Sequence, residues 1–283
     1  MNFENALAKG GKILSNNNIK SSLLESEILM SEAINKDRKF VINNLGREIK
    51  EDTLENFKKL IFQRASGKPI AYIIGKKDFW NFQFQITRGV LIPRPDTEIV
   101  IEEVLKITKY KSKLRILDIG VGSGCILLSV LKERKNFSGV GIDLSKKCID
   151  LSALNALNLN LSDRVKFFKS NIDNFNNGKY DLVVSNPPYI NQIDLNNLDK
   201  SIRDFEPRLA LNGGLDGLSE IRKVISKSSE LVKINGKLII EIGFDQKEKV
   251  KKILKKKGFY INKIVKDYAD NYRCIVSTKI NHK

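Results

Sequence analysis

The stretch Ile116-Leu-Asp-Ile-Gly-Val-Gly-Ser-Gly124 decides the fold. Its apolar start runs into three closely spaced glycines, and a helical stretch, Cys125 to Lys135, follows at once. A buried strand that turns on glycines into a helix is the opening unit of a doubly wound α/β sheet. The sequence therefore predicts the first strand of such a sheet here, with a ligand-binding turn at its carboxyl end.

The remainder of the chain continues this pattern. After Lys113, apolar runs rich in β-branched residues alternate with helical stretches, which predicts one open Rossmann-like sheet of seven strands. The last two strands are separated by about seven residues, too few for a helical crossover, so we expect them to be antiparallel. The predicted strands are Arg115 to Ile119, Gly139 to Leu144, Val165 to Phe168, Asp181 to Ser185, Lys237 to Ile242, Tyr260 to Val265 and Arg273 to Thr278.

The first part of the chain predicts a smaller helical unit that is followed by a hairpin. Apolar residues share a face at helical spacing in two stretches: Leu23, Leu24, Ile28 and Leu29, then Leu54, Phe57, Leu60 and Ile61. The segments Tyr72 to Ile74, Phe79 to Phe84 and Ile86 to Ile92, broken by Gly75 and Gly89, are typical of a hairpin connector. We predict a helical domain over residues 1–75, a β-hairpin connector over 76–92 and the α/β domain over 93–283.

Composition excludes several classes of site. The cysteines Cys125, Cys148 and Cys274 form no CxxC pair, and His282 is the single histidine. Zinc sites and histidine-based triads are therefore excluded, and no metal is expected. No apolar run approaches the roughly 20 residues that span a bilayer, and the first residues lack an apolar leader. We expect a cytoplasmic protein, monomeric and without a membrane partner.

The net charge of +17 raises the question of nucleic-acid binding. Lysines are scattered along the whole chain, with one dense run on a predicted surface helix at Lys247, Lys249, Lys251, Lys252 and Lys255 to Lys257. Binding requires clustered charge on a face, and a scattered excess fits a solvated basic surface better. Direct nucleic-acid binding is not expected, although a role close to the ribosome or RNA stays open.

The glycine turn suits a ligand that carries an amino-acid group. Gly120, Gly122 and Gly124 permit close backbone approach, and the helix N-terminus behind them offers N–H groups to a carboxylate. The spacing is GxGxG rather than the dinucleotide pattern GxGxxG, and the preceding Asp118 suits an ammonium rather than a phosphate. Asp143, at the end of the next strand, can accept both hydroxyls of a ribose. These groups predict S-adenosyl-L-methionine as methyl donor, S-adenosyl-L-homocysteine as product, and an adenine near Ser170 to Asp173.

A second loop supplies the groups for methyl transfer. The predicted fourth strand delivers Asn186-Pro-Pro-Tyr189 at the carboxyl edge of the sheet, beside the cofactor crevice. The side-chain carbonyl of Asn186 and the backbone carbonyl of Pro187 can each accept one N–H of a planar NH2 group, while Pro188 stiffens the turn and Tyr189 stacks on the group. Both hydrogen bonds strengthen as the nitrogen becomes positive, so no separate base is required.

Six motifs make the chain resemble the protein-glutamine N-methyltransferase family (PrmC, formerly HemK), which modifies the Gly-Gly-Gln glutamine of peptide chain release factors. The resemblance covers nearly the whole chain, and the second and fifth motifs are its specific part. They are PIAYIIG (Pro69 to Gly75), LIPRPDTE (Leu91 to Glu98), LDIGVGSG (Leu117 to Gly124), VSNPPYI (Val184 to Ile190), EPRLALNGGLDGL (Glu206 to Leu218) and IIEIG (Ile239 to Gly243).

The resemblance implies roles for individual residues. It places the cofactor on Gly120, Val121, Gly122, Ser123, Gly124 and Asp143, and the glutamine side chain on Asn186, Pro187, Pro188 and Tyr189, with Asn186 touching both ligands. Asn171-Ile172 stands where members have Asp-Trp or Asp-Leu, so the adenine contact becomes apolar packing by Ile172. Arg94 and Glu98 either serve the site or form an ion pair that locks the domain interface. The helical unit docks the protein substrate or only caps the catalytic domain.

Two other functions stay open at this point. The same loop could hold the exocyclic amine of a flipped adenine or guanine, although no segment long enough for target recognition is present. A noncatalytic cofactor-binding protein near the ribosome is the second alternative, and the intact NPPY loop argues against it. Parallel assays with release factor, ribosomal RNA and DNA would separate the three.

Overall fold

The structure, a computed structural model, describes residues 1–281, and His282 lies outside the described residues. The chain forms two units. The first comprises Met1–Lys76 together with Asp199–Phe205, and the second comprises Lys77–Leu198 and the chain from Glu206 onward. The first unit therefore takes a short segment from the middle of the second.

The first unit is helical. Two of its helices begin at polar caps: the Asn2 side chain accepts a hydrogen bond from Asn5 N, and Asp37 accepts one from Phe40 N at 2.7 Å. The apolar faces enclose a core that contains Leu14, Leu29 and Phe57. The helices are α1 (Phe3–Asn16), α2 (Ser22–Ile34), α3 (Arg38–Asn43), α4 (Glu51–Ala65) and α5 (Ile70–Ile74), and α9 (Lys200–Arg203) also lies in this unit.

The apolar face predicted for α2 is only partly buried. Leu29 is buried, but the side chains of Leu23 and Leu24 are 55% and 42% exposed. Small residues make the crossing with α1 instead, because Ser26 donates its hydroxyl to Leu7 O at 3.0 Å and a Cβ on Gly10 would lie 2.6 Å from Ser26 Oγ. This close approach turns the face that carries Ser26 and Leu29 inward and leaves the leucine pair outside.

The hairpin is shorter than predicted. Strands β1 (Lys76–Phe79) and β2 (Phe82–Gln85) form it across a two-residue turn, Trp80-Asn81. Tyr72 to Ile74 belong to α5, which Pro69 caps and Gly75 ends with φ +73°. Residues 86–92 form no strand, and Val90 N donates to Thr87 O in a turn.

The second unit contains the predicted seven-stranded sheet, whose strand order is β5-β4-β3-β6-β7-β9-β8. The neighbouring pairs from β5 to β7 are parallel, and β9 is antiparallel to both β7 and β8, which confirms the orientation expected for the last two strands. The strands are β3 (Arg115–Ile119), β4 (Ser138–Asp143), β5 (Val165–Lys169), β6 (Tyr180–Ser185), β7 (Val232–Glu241), β8 (Phe259–Lys266) and β9 (Tyr272–Lys279).

Helices connect these strands and bury their apolar faces, as the doubly wound fold requires. One core cluster of this unit contains Leu117, Val183, Leu238 and Ile275 from four strands, together with Ile225 from a helix. No helix within residues 1–281 combines the length and apolar character needed to cross a membrane. The helices of this unit are α6 (Glu98–Ile107), α7 (Cys125–Glu133), α8 (Lys146–Asn158), α10 (Ser219–Leu231) and α11 (Lys247–Lys256).

The register of the central strands brings the two predicted loops together. Strand β3 pairs with β6 so that Asp118 lies opposite Val184. Gly120 and Asn186 each come two residues later, and adjacent strands lie about 5 Å apart. Ser185 Oγ also donates to Ile119 O at 2.7 Å. The glycine turn and the NPPY loop therefore leave the sheet side by side.

Candidate active site

The glycine turn adopts backbone conformations that favour glycine. Gly120, Gly122 and Gly124 have φ values of +77°, +56° and +83°. Gly120 N and Val121 N both donate to Ile142 O, which fixes the start of the turn to β4. Apart from Gly120 itself and its two chain neighbours, no atom of the described residues lies within 4 Å of a Cβ built on Gly120, so the turn leaves open space at this point. The turn can therefore let a ligand approach its backbone closely.

Asp143 stands at the end of β4, where the sequence predicts a ribose contact. Its two carboxylate oxygens accept one backbone N–H each, from Gly122 at 3.0 Å and from Ser145 at 2.9 Å. A carboxylate has about four lone-pair positions, so acceptor capacity for a ligand remains after these two N–H groups and the neighbouring Cys148 thiol. Burial raises the pKa of Asp143, and the two N–H donors oppose that rise. The residue thus both fixes the glycine turn and retains the capacity to bind hydroxyls.

Asp118 is the buried acid below the turn. The residue is 1% exposed, and neither carboxylate oxygen has a hydrogen-bond partner within residues 1–281. Burial raises its pKa from 3.8 to about 7; the backbone N–H of Leu127, which is near but not at hydrogen-bond geometry, opposes the rise, and the Asp143 carboxylate adds to it. An unpaired buried carboxylate is costly, and a cation that binds beside it removes that cost. The two carboxylates at this turn, Asp118 and Asp143, therefore fit a ligand that carries both an ammonium and a ribose, as S-adenosyl-L-methionine does.

Two further residues of the predicted cofactor set point inward. Val121 is 4% exposed and Ser123 2%, so neither residue offers an open side chain to a ligand. Ser123 O already accepts a hydrogen bond from Asn155 Nδ2 at 2.9 Å, and Asn155 also exchanges two hydrogen bonds with the backbone of Gln85 at the end of the hairpin. These contacts make the turn part of a rigid framework.

The segment predicted to meet the adenine lies beside Asp143. Ser170 N donates to Asp143 O at 2.9 Å, and a short 3-10 turn, Ile172–Asn174, follows. Ile172 is 9% exposed and packs in the large core cluster with Leu218 and Ile221. The contact of Ser170 brings the start of this segment to Asp143, and an apolar contact of Ile172 with the adenine stays a prediction.

Asn186 follows the last residue of β6, and only one end of its side-chain amide has a hydrogen-bond partner within residues 1–281. Its Nδ2 lies 3.0 Å from Thr97 Oγ1. In the part of the chain that the structure describes, no donor forms a hydrogen bond with its Oδ1. That oxygen can accept an N–H from a substrate, which is the role the sequence predicts for it. Pro187 is buried, whereas Pro188 and Tyr189 are partly exposed.

A buried carboxylate lies behind the NPPY loop. Glu241, at the end of β7, is 1% exposed, and its Oε1 accepts the Tyr189 hydroxyl at 3.4 Å. Burial raises the pKa of Glu241 to about 7, while the hydroxyls of Thr97 and Tyr189 favour its charged form. Burial and the nearby Glu241 carboxylate raise the pKa of Tyr189, so this phenol stays protonated. Tyr189 is therefore a hydrogen-bond donor and a wall, not a base.

The segment after the NPPY loop is fixed by backbone pairing. Ile190 N donates to Leu211 O, and Gly213 N donates to Ile190 O at 2.8 Å. Gln246 is 5% exposed, and its Nε2 donates to both Tyr189 O and Gly217 O. The stretch EPRLALNGGLDGL therefore has a structural task, because it provides the edge on which the loop rests.

Arg94 and Glu98 do not form the ion pair considered from the sequence. Arg94 pairs with Glu206, whose Oε1 lies 2.5 Å from Arg94 Nη2 and whose Oε2 accepts Ile92 N. Glu98 instead accepts Trp80 N at 2.8 Å. The buried Glu206 attracts the arginine because it would otherwise be unpaired. The pair links the IPRPDTE stretch to the start of EPRLAL.

Thr97, Glu241 and Gln246 are missed by the sequence interpretation, although two of them lie in quoted motifs. The signal for Glu241 is an acid one residue before the end of an apolar strand run, Leu238 to Ile242, as Asp118 is in β3. Thr97 and Gln246 carry no such signal. No group of three His, Cys, Asp or Glu side chains within residues 1–281 could hold a metal ion.

Two protein-family models and several known proteins match this chain. Residues 5–75 match the PrmC N-terminal domain, and residues 96–265 match the methyltransferase small domain. A release factor glutamine methyltransferase of Clostridium acetobutylicum is 37% identical over 99% of each chain, and one of Buchnera aphidicola is 38% identical over 99% of this chain and 100% of the relative. Among solved structures, a ribosomal protein L11 methylase of Lactobacillus delbrueckii has a TM-score of 0.51 at 17% identity, covering 72% of this chain and 91% of that one, which supports the fold alone. The chain belongs to the family of release factor glutamine methyltransferases.

Proposed function

We propose that this chain transfers the methyl group of S-adenosyl-L-methionine to the side-chain amide nitrogen of a glutamine, in the Gly-Gly-Gln motif of peptide chain release factors. Relatives with this named activity align over nearly the whole chain. One observation carries the proposal at the site: Asn186 Oδ1 is left without a partner in residues 1–281, beside a turn whose buried acid lacks a cation. An acceptor for N–H groups and a place for an ammonium therefore lie at one edge of the sheet.

The residues of the chain divide the work between the two ligands. Asp118 would hold the ammonium, Asp143 the ribose hydroxyls, and the backbone of Gly120 to Gly124 would approach the amino-acid end of the donor. The donor, when bound, supplies an electrophilic methyl on a sulfonium. Asn186 Oδ1 and Pro187 O would each accept one N–H of the glutamine amide, and Tyr189 would cover one face of its plane.

This arrangement answers the main difficulty of the reaction. An amide nitrogen is a poor nucleophile because its lone pair is delocalised. Two acceptors that hold both N–H bonds fix the direction of the lone pair and strengthen as positive charge develops on the nitrogen. The nitrogen then loses a proton to water, which balances the transfer without a protein base. Positioning for in-line attack provides most of the remaining rate.

The helical unit has a place in this proposal. A pocket for one side chain cannot select a protein loop, so a second surface must bind the body of the release factor, and we assign this task to the first unit. Exposed apolar side chains on its surface support the assignment, since Phe62 is 75% exposed and Ile13 47%. We propose that the chain acts as a monomer in the cytoplasm, with no requirement for nucleic acid.

The test uses tritiated S-adenosyl-L-methionine with three acceptors in parallel: a purified release factor, ribosomal RNA and DNA. A release factor whose Gly-Gly-Gln glutamine is replaced by alanine is the control. Label on that glutamine, located by mass spectrometry and absent from the control, supports the proposal. Label on RNA or DNA with none on the release factor would assign the exocyclic amine of a base as the substrate.

A further inference from the structure

The orientation of the Asn186 amide is decided by groups outside the NPPY loop. A side-chain amide can present either its oxygen or its NH2 to a substrate, and its two ends have nearly the same shape. Only the oxygen can accept the N–H of a glutamine amide. Asn186 contacts Thr97 Oγ1, and a hydroxyl can serve as donor or as acceptor. The direction of the Thr97 proton therefore decides which end of Asn186 faces the substrate.

Glu241 is a nearby group that can accept the Thr97 proton. A carboxylate accepts hydrogen bonds and does not donate them. Glu241 Oε2 is buried and has no partner at hydrogen-bond geometry within residues 1–281, so it is free to accept a proton from a neighbour. The Thr97 hydroxyl is close enough to favour the charged form of this carboxylate, although the two do not form a hydrogen bond in this structure. Thr97 is itself 3% exposed, so water does not compete freely for its proton. A Thr97 proton directed at Glu241 leaves only the lone pairs of Oγ1 for Asn186, which must then supply its NH2.

We propose that Glu241, acting through Thr97, turns the Asn186 amide so that Nδ2 faces Thr97 and Oδ1 faces the glutamine, which makes both residues positioning residues for methyl transfer. The inference rests on the proposed function. The two residues come from the IPRPDTE and IIEIG stretches, so three distant parts of the sequence set one amide. The same carboxylate accepts the Tyr189 hydroxyl, and it thereby orients both ends of the NPPY loop.

The first test compares Thr97→Val with Thr97→Ser. Valine keeps the shape but removes the acceptor, and we expect kcat for release-factor methylation to fall about 10- to 100-fold while donor affinity stays within about threefold. Serine restores the hydroxyl and should recover most of the lost rate. Thr108→Val is the matched control, because Thr108 is equally buried and its hydroxyl donates to Val104 O, outside the site. A Thr97→Val enzyme with kcat within twofold of the wild type would overturn the proposal.

The second test is the pH profile of kcat. Protonated Glu241 can donate to Thr97 and reverse the chain of hydrogen bonds, so wild-type kcat should fall as the pH drops below about 7. The Glu241→Gln variant should have a lower kcat and lack this acidic limb. An unchanged limb in Glu241→Gln would contradict the assignment. The charged or titratable groups that face Glu241 are Tyr189, Arg273, Asp96, Cys125 and Cys274.

A third measurement needs no substrate and separates this inference from the proposed function. The side-chain amide of Asn186 is identified in a 15N spectrum by its absence in Asn186→Ala. Its protons should exchange slowly in the wild type and in Thr97→Ser, and at least about tenfold faster in Thr97→Val, where the acceptor is missing. Equal exchange in the wild type and Thr97→Val would refute the orientation. Slow exchange together with an unlabelled release factor would refute the proposed function and leave the orientation standing.

Discussion

Replacement of Asp118 by asparagine should change how stability depends on pH. Burial raises the pKa of this carboxyl from 3.8 to about 7. Below pH 3.8 the folded and unfolded states both carry the proton; as the pH rises toward 7 the unfolded state loses it first, so folding loses stability. Each pKa unit corresponds to about 1.4 kcal/mol, which gives a loss of about 2 to 3 kcal/mol between pH 5 and pH 8. Asp118→Asn has no carboxyl to titrate at this position, so its free energy of unfolding should not fall by this amount between pH 5 and pH 8.

Urea denaturation of both proteins at pH 5, 6, 7 and 8, without donor, measures the difference directly. Groups common to both proteins, including Glu241, cancel in the comparison. Asp150→Asn changes an exposed acid on α8 and should leave the pH dependence within about 0.5 kcal/mol of the wild type. Parallel curves for the wild type and Asp118→Asn would refute the description of Asp118 as a buried, unpaired acid.

The affinity for S-adenosyl-L-methionine should also depend on the ionisation of Asp118. If the ammonium of S-adenosyl-L-methionine pairs with Asp118, the bound state favours the ionised acid. Donor affinity, measured by calorimetry between pH 5 and pH 7, should then rise more steeply in the wild type than in Asp118→Asn. Equal slopes would place the ammonium elsewhere.

Three other substitutions test separate parts of the site. Asn186→Ala removes one preorganised acceptor and should lower kcat by roughly 10² to 10³ in single-turnover assays, whereas Asn81→Ala, a matched change in the hairpin turn, should leave it unchanged. Gly124→Ala places a Cβ at φ +83° and 2.8 Å from Leu128 Cδ1; it should destabilise the fold by about 1 to 2 kcal/mol in thermal denaturation and weaken donor binding. Phe62→Ser should raise KM for the release factor several-fold with kcat unchanged, and an unaltered KM would leave the first unit as a cap.

The sheet could be predicted because its strands are marked locally. Runs such as Arg115 to Ile119 are apolar, rich in branched side chains and bounded by turn residues, so the strands agree with the structure to within one or two residues, except β7, which begins at Val232 instead of Lys237. The last strand pair was predicted correctly from the length of its connector alone. Short elements were harder, because α5 contains β-branched residues, and it is a helix only because Pro69 and Gly75 enclose five residues.

The site was predictable only where chemistry follows a strand end. Asp118, Asp143 and Asn186 each stand at such a position, and the parallel register brings them to one edge. Thr97 could not be found in this way, since it lies 89 residues before the amide that it contacts. The exposure of Leu23 and Leu24 could not be predicted either. It depends on how closely Gly10 of α1 lets α2 approach, and residue spacing along one helix does not encode that approach.

The two hydrogen bonds from Gln246 affect the thermodynamics of substrate binding. One amide group joins Tyr189 O to Gly217 O, so the backbone of the NPPY loop is ordered when the chain folds. The conformational entropy of the loop is therefore lost once, during folding, and not in each catalytic cycle. A glutamine that enters this slot loses only its own rotamer freedom, while a side chain one methylene shorter cannot induce the rigid loop to move toward it. Discrimination between glutamine and asparagine thus follows from rigidity rather than from an additional contact.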